Sequence, residues 1–192
     1  MPTLKIGGAD LSFTGGKWTS APSGTILQTV TATMREDQTV SATSWTDVTD
    51  GTYPLSVTIT PGSTSSYLLC IAHIHCGQRD DTTPSFAFDI NGTKTQTHAA
   101  NSSREAATFG AGYCNIGSSP ADTYNYGLNR YQVVSMNIKY EPATTSACTV
   151  KVQAFDADDG GNGFYINRTL ANNSSGNYAD AVSTMTVHEV AG

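Results

Sequence analysis

Residues 85–97 read Ser85-Phe-Ala-Phe-Asp-Ile90-Asn91-Gly92-Thr93-Lys-Thr-Gln-Thr97, which is the clearest β-hairpin signal in the sequence. Its two halves, Ser85–Ile90 and Thr93–Thr97, are strand-like and flank Asn91-Gly92. Asn-Gly is the strongest short-range hairpin signal, because both central residues of a type I′ turn need a positive φ. The stretch therefore predicts two antiparallel strands joined by a two-residue turn.

Segments that alternate with a period of two recur along the rest of the chain. The further predicted strands are Thr25–Met34, Leu55–Thr60, Tyr67–Cys76, Leu128–Tyr140, Cys148–Phe155, Phe164–Arg168 and Ala181–Val190. In the first of these, Ile26, Val30 and Met34 share one face. Tyr67–Cys76 is apolar on both faces, which predicts a central strand that is covered on both sides. Roughly eight to ten strands at this spacing predict an all-β, antiparallel β-sandwich of the jelly-roll type.

Composition supports a sheet protein and disfavours two kinds of partner. Only 14% of the 192 residues are charged, and Thr, Ser, Asn and Gly take their place. The formal net charge is −6, and the 10 Lys and Arg residues are scattered without a basic run. Nucleic acids and anionic membranes are bound through such residues, so we expect neither partner.

Two further observations concern location. A membrane-spanning helix requires a run of about 18 apolar residues, and the chain contains no such run. Its N-terminus, Met1-Pro-Thr-Leu-Lys-Ile-Gly-Gly8, lacks the charged-then-apolar layout of a secretory signal. We therefore expect the chain to fold in a cytoplasm.

Residues 1–24 differ from the rest, so the predicted domains are a short, extended N-terminal arm, 1–24, and a β-sandwich, 25–192. The arm is rich in glycine, which makes it difficult for the segment to hold itself together. It nevertheless carries five apolar anchors, which are Leu4, Ile6, Leu11, Phe13 and Trp18. One interpretation is a frayed terminus or an extra edge strand. The other is a segment that docks onto another chain.

The four cysteines, Cys70, Cys76, Cys114 and Cys148, are expected to be free. Cys70 and Cys76 fall in one extended run, roughly 20 Å apart at about 3.3 Å per residue, which is too far for a disulfide. The sequence contains no CxxC pair, so it does not indicate a zinc site. A cytoplasmic origin favours reduced thiols that are buried as small apolar groups.

Two sequence patterns could form a metal site. His73 and His75 are two residues apart in a strand and could supply two ligands, or they could continue the rim of a core face. His98 and His188 could complete a site only if folding brought them close. The segment Asp156–Gly163 resembles a calcium loop, but no closing Glu follows, so we expect a polar turn. No metal ligand and no cofactor is predicted.

No catalytic motif is present. The chain lacks a GxSxG elbow, an SxxK pair and a phosphate-binding GxxxxGK[ST] loop. Carboxylates for glycoside cleavage must converge in a cleft. The acids are instead expected in solvated turns, among them Asp47, Asp50, Asp80, Asp81, Asp122, Asp158, Glu36, Glu105, Glu141 and Glu189. The chain is therefore interpreted as non-enzymatic.

One loop could form a ligand surface. Residues 109–129 are rich in Gly, Asn and Ser, and four tyrosines lie in or beside them: Tyr113, Tyr124, Tyr126 and Tyr131. Exposed aromatic rings with neighbouring amides are adaptable contact surfaces, for sugars among other ligands. The alternative is that one or two of these tyrosines cap the core and the rest are scattered.

Several short segments, in their order along the chain, carry a resemblance. They are Ser23-Gly-Thr-Ile-Leu-Gln28, Leu55-Ser-Val-Thr-Ile-Thr-Pro61, Gly62-Ser-Thr-Ser-Ser66, Tyr67-Leu-Leu69, Pro142-Ala-Thr-Thr-Ser-Ala147, Thr149-Val-Lys-Val-Gln153, Tyr165-Ile-Asn-Arg168 and Ser183-Thr-Met-Thr-Val-His-Glu-Val190. Residues 23–190 thereby resemble a β-domain of virion structural proteins of marine and freshwater tailed phages, including cyanophages. Cys70, His73, His75, Cys76 and the turn Asp156–Gly163 depart from it.

The resemblance implies a virion protein of the tail-fibre-like or particle-decorating kind and offers no catalytic motif to transfer. The chain has no coiled-coil or collagen repeat for a fibre shaft. We therefore expect a capsid decoration, cement or short head-fibre subunit on the virion exterior, anchored through residues 1–24 to the major capsid protein or another virion protein. Analogy with jelly rolls suggests a homotrimer. The alternative is a tail-fibre-type adhesin that recognises a cell-surface glycan, and a depolymerase is the weakest hypothesis.

Overall fold

The structure is a computed structural model that describes residues 3–6, 9–14, 17–77, 82–95, 107–110, 131–157, 163–169 and 180–192. These residues form β-strands and contain no helix. The strands are β1 (Thr3–Ile6), β2 (Ala9–Thr14), β3 (Lys17–Ser20), β4 (Ile26–Met34), β5 (Gln38–Val40), β6 (Thr46–Asp47), β7 (Ser56–Ile59), β8 (Tyr67–Gly77), β9 (Pro84–Ile90), β10 (Thr93–Thr95), β11 (Phe109–Gly110), β12 (Tyr131–Tyr140), β13 (Cys148–Asp156), β14 (Phe164–Ile166) and β15 (Ser183–Val190).

The strands are arranged in three sheets. β1, β2 and β3 form a small N-terminal sheet. The second, here the β8 sheet, has the order β4-β15-β8-β14-β5, with β12 also paired to β8. The third, here the β9 sheet, has the order β10-β9-β13-β6, with β11 paired to β9 and β7 to β13. The pairings within the described segments are antiparallel.

The β8 and β9 sheets pack as a sandwich, which confirms the predicted all-β sandwich class. Buried inward residues alternate with less buried ones along β8 and most of β13, as in Leu68, Cys70 and Ala72 of β8 and Val150 and Val152 of β13, all fully buried. Side chains from the two inner faces interdigitate to make the core of such a sandwich. The rings of Phe86 and Phe164, one from each sheet, meet edge to face with centroids 5.6 Å apart. The jelly-roll connectivity remains a prediction.

The β9–β10 hairpin forms where the Asn-Gly signal predicts it. Asn91 has φ 53° and Gly92 has φ 84°, so both central residues adopt the positive φ of a type I′ turn. The carboxylate Oδ1 of Asp89 accepts a hydrogen bond from Gly92 N at 2.9 Å. Asn91 Oδ1 accepts another from Thr149 N at 2.8 Å, which fixes the turn against β13.

The prediction that Tyr67–Cys76 is covered on both faces is wrong. β8 is central, with β15 and β14 along one edge and β12 along the other. However, between Tyr67 and Cys76 the buried residues are those of the inner face, Leu68, Cys70, Ala72, Ile74 and Cys76, and His73 is exposed. The reason is that the partner sheet covers one face of a two-sheet sandwich and leaves the other outside.

A β-bulge also corrects the predicted face of Ile26. Glu189 pairs with Gln28 and Val190 pairs with Ile26, so Leu27 is an extra residue in β4. A bulge of this kind shifts the alternation by one position. Leu27 therefore turns inward, whereas Ile26 is 52% exposed and does not share the face of buried Met34.

The predicted arm contains regular structure. Its described residues, Thr3–Ile6, Ala9–Thr14 and Lys17–Ser20, form the three strands of the N-terminal sheet rather than one extended segment. Three further strands, β5, β6 and β11, were not predicted, since two or three residues are too few to show a period. Among the described residues no helix is long and apolar enough to cross a membrane.

Candidate functional site

The five predicted docking residues all lie in the N-terminal sheet. Leu4 and Ile6 belong to β1, Leu11 and Phe13 to β2, and Trp18 to β3. The backbone register places Leu4 opposite Leu11 and Phe13 opposite Trp18. No described strand of the N-terminal sheet pairs with the β8 or the β9 sheet. Folding thus brings the predicted anchors together in one element at the start of the chain.

The predicted tyrosine surface falls largely outside the described residues. This applies to Tyr113, Tyr124 and Tyr126. Tyr131 is the first residue of β12, and its backbone is paired with Gly77. The prediction of a ligand surface on this loop therefore stays a prediction.

The histidines of β8 point to the outer face of the sandwich. His73 Nδ1 shares a hydrogen bond of 3.0 Å with Ser135 Oγ on the neighbouring strand β12. His188 Nδ1 bonds Thr29 Oγ1 at 2.9 Å, and His98 lies outside the described residues. The part of the chain that the structure describes holds no cluster of three or more His, Cys, Asp or Glu residues that could bind a metal.

The predicted polar turn after β13 begins with a buried acid. Asp156 is 2% exposed, and its Oδ1 accepts a hydrogen bond from Thr83 N at 2.9 Å. Residues 158–162 of this turn lie outside the described residues. Asp156 therefore helps to hold the β9 and β13 ends together.

Three cysteines are free and buried, as predicted: Cys70, Cys76 and Cys148. Burial, with a smaller contribution from neighbouring Cys148, raises the pKa of the Cys70 thiol to about 12. Burial also raises the pKa of Cys76, with Asp156 adding to the effect. These thiols act as apolar core groups, and Cys114 lies outside the described residues.

Glu189 contradicts the expectation that the acids lie in solvated turns. It is 1% exposed, on β15. Gln28 Nε2 donates to its Oε2 at 2.5 Å, and Gly62 N donates to its Oε1 at 2.7 Å. These donors replace water around the carboxylate, as a buried charge requires. Asp50, in contrast, caps an exposed turn as predicted, because its Oδ1 accepts from Thr52 N.

A groove on the outer face of the β9 sheet brings together the polar groups that sequence analysis left unassigned. The strand register places Lys94 of β10 opposite Asp89 of β9, and Asp89 opposite Lys151 of β13. A carboxylate that is 6% exposed thus lies between two lysines. The groove has a volume of about 310 Å³ and is lined by Trp45, Asp89, Asn91, Gly92, Lys94, Thr149, Lys151 and Gln153.

A hydrogen-bond network fixes one wall of the groove. Lys151 Nζ lies 2.8 Å from Asp47 Oδ2, and Gln153 Nε2 donates to Asp47 Oδ1 at 2.8 Å. Partial burial opposes ionisation of Asp47, but the hydrogen bonds from Lys151 and Gln153 and the charge of Lys151 outweigh it and lower the pKa. The same pairing raises the pKa of Lys151.

Trp45 forms the aromatic wall of the groove. It lies immediately before β6 and is partly buried. Its ring packs edge to face on Phe155 with centroids 4.5 Å apart, and Lys94 Nζ lies 5.4 Å from its centroid. The groove therefore joins a fixed indole ring to groups of both charges.

Comparison with known proteins gives no family. No protein-family model matches this chain, and no curated protein matches it. Among solved structures, dimeric latent PorU from Porphyromonas gingivalis shares 10% identity over 94% of this chain and 14% of that chain, with a TM-score of 0.40. The VP2 subviral particle of infectious bursal disease virus shares 10% identity over 99% of this chain and 42% of that chain, with a TM-score of 0.40. This chain thus spans less than half of either neighbour.

Trp45 was not predicted as a functional residue, and the groove was therefore not predicted either. A signal was present, because Trp45 is a large aromatic residue inside the otherwise polar run Thr43-Ser-Trp-Thr-Asp47. Its partners lie far away in sequence and meet only through the pairing of β6, β9, β10 and β13. The register that places Lys94 and Lys151 on either side of Asp89 cannot be obtained from local patterns.

Proposed function

We propose that this chain is a non-enzymatic structural module of a tailed-phage particle, a capsid decoration, cement or short head-fibre subunit on the virion exterior. Residues 3–20 attach it to the major capsid protein or another virion protein. One observation carries the proposal: the N-terminal residues that hold the apolar anchors form a sheet whose described strands pair only with one another. The resemblance of residues 23–190 to tailed-phage virion domains supports it.

The roles of the acids in the sandwich fit a structural module. Asp89 caps a hairpin, Asp156 holds two strand ends and Glu189 fastens a turn to β15. The net charge of −6 suits an exterior position away from packaged DNA. A homotrimer is part of the proposal, by analogy with particle-forming jelly rolls. Light scattering on the purified chain tests that part.

Deletion of residues 1–20 tests the attachment directly. The cut preserves the bonds that close the start of the sandwich, Thr25 N to Pro22 O at 3.1 Å and Gly24 N to Ala191 O at 2.8 Å. We expect the truncated chain to remain folded by circular dichroism and to bind depleted particles at less than a tenth of full-length occupancy.

A second pair of variants controls for loss of chain length. Phe13→Ser with Trp18→Ser should reduce particle binding, whereas Ser12→Ala with Thr14→Ala should leave it unchanged. Attachment through residues 3–20 is contradicted if the folded, truncated chain decorates particles at full occupancy.

A further inference from the structure

We propose that the groove beside Trp45 binds an uncharged glycan, with one sugar ring stacked on the indole and its hydroxyls bonded to the surrounding polar groups. This is a binding activity beyond the structural role proposed above. It belongs to the β9 sheet and does not involve residues 3–20, so each proposal can fail without the other.

The indole of Trp45 is held ready for stacking. Phe155, which is 3% exposed, contacts the indole edge to face and so limits its movement. Lys94 lies over the ring at 5.4 Å, a distance at which a cation is attracted to an aromatic face. A partly buried ring fixed on one side and open to a groove offers a large contact area at little entropic cost.

The polar lining alternates donors and acceptors over a short distance. The lysines Lys94 and Lys151 carry donor groups, and the strand register places the acceptor Asp89 between them. Gln153 Oε1 is shielded from solvent and has no hydrogen-bond partner within the described residues, while the amide nitrogen of the same side chain is committed to Asp47. A shielded acceptor without a partner is costly unless a ligand or water satisfies it. Each sugar hydroxyl can donate and accept, so it matches such a lining.

Size and charge narrow the class of ligand. A volume of about 310 Å³ lies at the small end of ligand sites, which run from about 300 to 1,000 Å³. The lining carries two lysines against one aspartate, and Lys151 is already paired with Asp47. A polyanion would meet Asp89 and Asp47 at close range, whereas an uncharged sugar meets no repulsion.

The groove is also preorganised. Its floor is the paired backbone of β9, β10 and β13. One end is the β9–β10 turn, which is held to β13 by the hydrogen bond from Thr149 N to Asn91 Oδ1. The Asp47 network holds Lys151 and Gln153 in place from the other side. Binding to a site of this kind requires little ordering of side chains, which favours affinity.

The experiment is a glycan array probed with the full-length chain, followed by titration of the best neutral oligosaccharide. A Trp18→Phe background leaves Trp45 as the only tryptophan, so its fluorescence reports binding at the groove. Trp45→Ala should weaken binding at least tenfold on the array, and Lys94→Ala should weaken it several-fold. Tyr53→Ala is the matched control, because Tyr53 is a 47% exposed aromatic residue that does not line the groove.

The result that supports the proposal is a neutral glycan bound by the wild type and the Tyr53→Ala variant, with quenched or shifted Trp45 emission. The proposal is overturned if the folded wild type binds no glycan or only acidic glycans, or if a folded Trp45→Ala variant binds as well as the wild type. Should Trp45→Ala not fold, Lys94→Ala decides, and an unchanged affinity in that variant overturns the proposal.

Discussion

Asn167 connects four segments of the β8 sheet through one buried side chain and its backbone. Its Nδ2 donates to Met34 O at 3.0 Å and to Glu36 O at 2.9 Å, and its Oδ1 accepts from Ser183 Oγ at 2.6 Å. Its backbone N donates to His75 O at 2.8 Å. The residue has φ 64°, a conformation that Asn tolerates better than most residues. Its hydrogen bonds and its backbone conformation both favour Asn here.

Substitution separates these two contributions. Asn167→Ala should lower the free energy of unfolding by about 3 kcal/mol, because it leaves two carbonyls unsatisfied and strains a left-handed residue. Asn167→Gly removes the same bonds without the strain, so we expect a loss smaller by about 1 kcal/mol. Urea denaturation measures both, with Asn137→Ala on the exposed face of β12 as control. Equal stability of the Ala variant and the wild type would show that the network is dispensable.

Asp47 gives the β9 sheet a pH dependence of known sign. Folding lowers its pKa below the ordinary value of 3.8, so its stabilising contribution is present above that value and is lost as the pH falls through the folded-state pKa. Asp47 and Lys151 are 40% and 38% exposed in their side chains, so the pair is worth less than about 1 kcal/mol.

The matching variant is Asp47→Asn. We expect it to be slightly less stable than the wild type at pH 7 in urea melts, with the difference shrinking below about pH 4 as the wild-type carboxylate is protonated. A difference that grows as the pH falls would assign the opposite role to the ion pair.

At the level of single strands, β8 carries two of the buried thiols on its inner face. Because only the thiolate reacts, a pKa of about 12 for Cys70 leaves about one thiol in ten thousand ionised at pH 8. In a Cys114→Ser variant, iodoacetamide at pH 8 should therefore leave Cys70 and Cys76 unlabelled in the folded chain within about an hour and label both in guanidinium. Mass spectrometry reads the result. Rapid labelling of Cys70 in the folded chain would contradict the burial of its side chain in the core.

Strands that alternate over four or more residues could be predicted from the sequence. β7, β13 and β15 follow the period because their inward residues, such as Val57, Val152 and Val187, meet the opposite sheet. The Asn91-Gly92 turn was predictable because it depends on only two φ angles. The one-residue bulge at Leu27 was not, since it arises from the pairing of β4 with β15 at the other end of the chain.

Of the two candidate sites, one could be predicted from local sequence and the other could not. The anchors Leu4 to Trp18 stand out because they are apolar residues in a glycine-rich segment, and this is a local property. The groove depends on residues from β6, β9, β10 and β13 meeting in one register. Glu189 was misassigned for a related reason, because its donors Gln28 and Gly62 are distant in sequence.

In the whole molecule, the two proposed activities lie in different sheets. The N-terminal sheet holds the proposed attachment, and the groove lies on the outer face of the β9 sheet. A module that is fastened at one end and presents a sugar site elsewhere could hold a particle near a cell surface while remaining part of the capsid. The acidic net charge of −6 keeps such a surface away from nonspecific binding to nucleic acid.

Cryo-electron microscopy of intact particles from an infected host tests whether the chain is attached to the particle exterior through its N-terminal sheet. We expect sandwich-shaped density on the outside of the particle, joined to the underlying shell by residues 3–20. The account is contradicted if the chain is absent from purified particles, or if a face of the sandwich makes the contact while residues 3–20 point away from the particle.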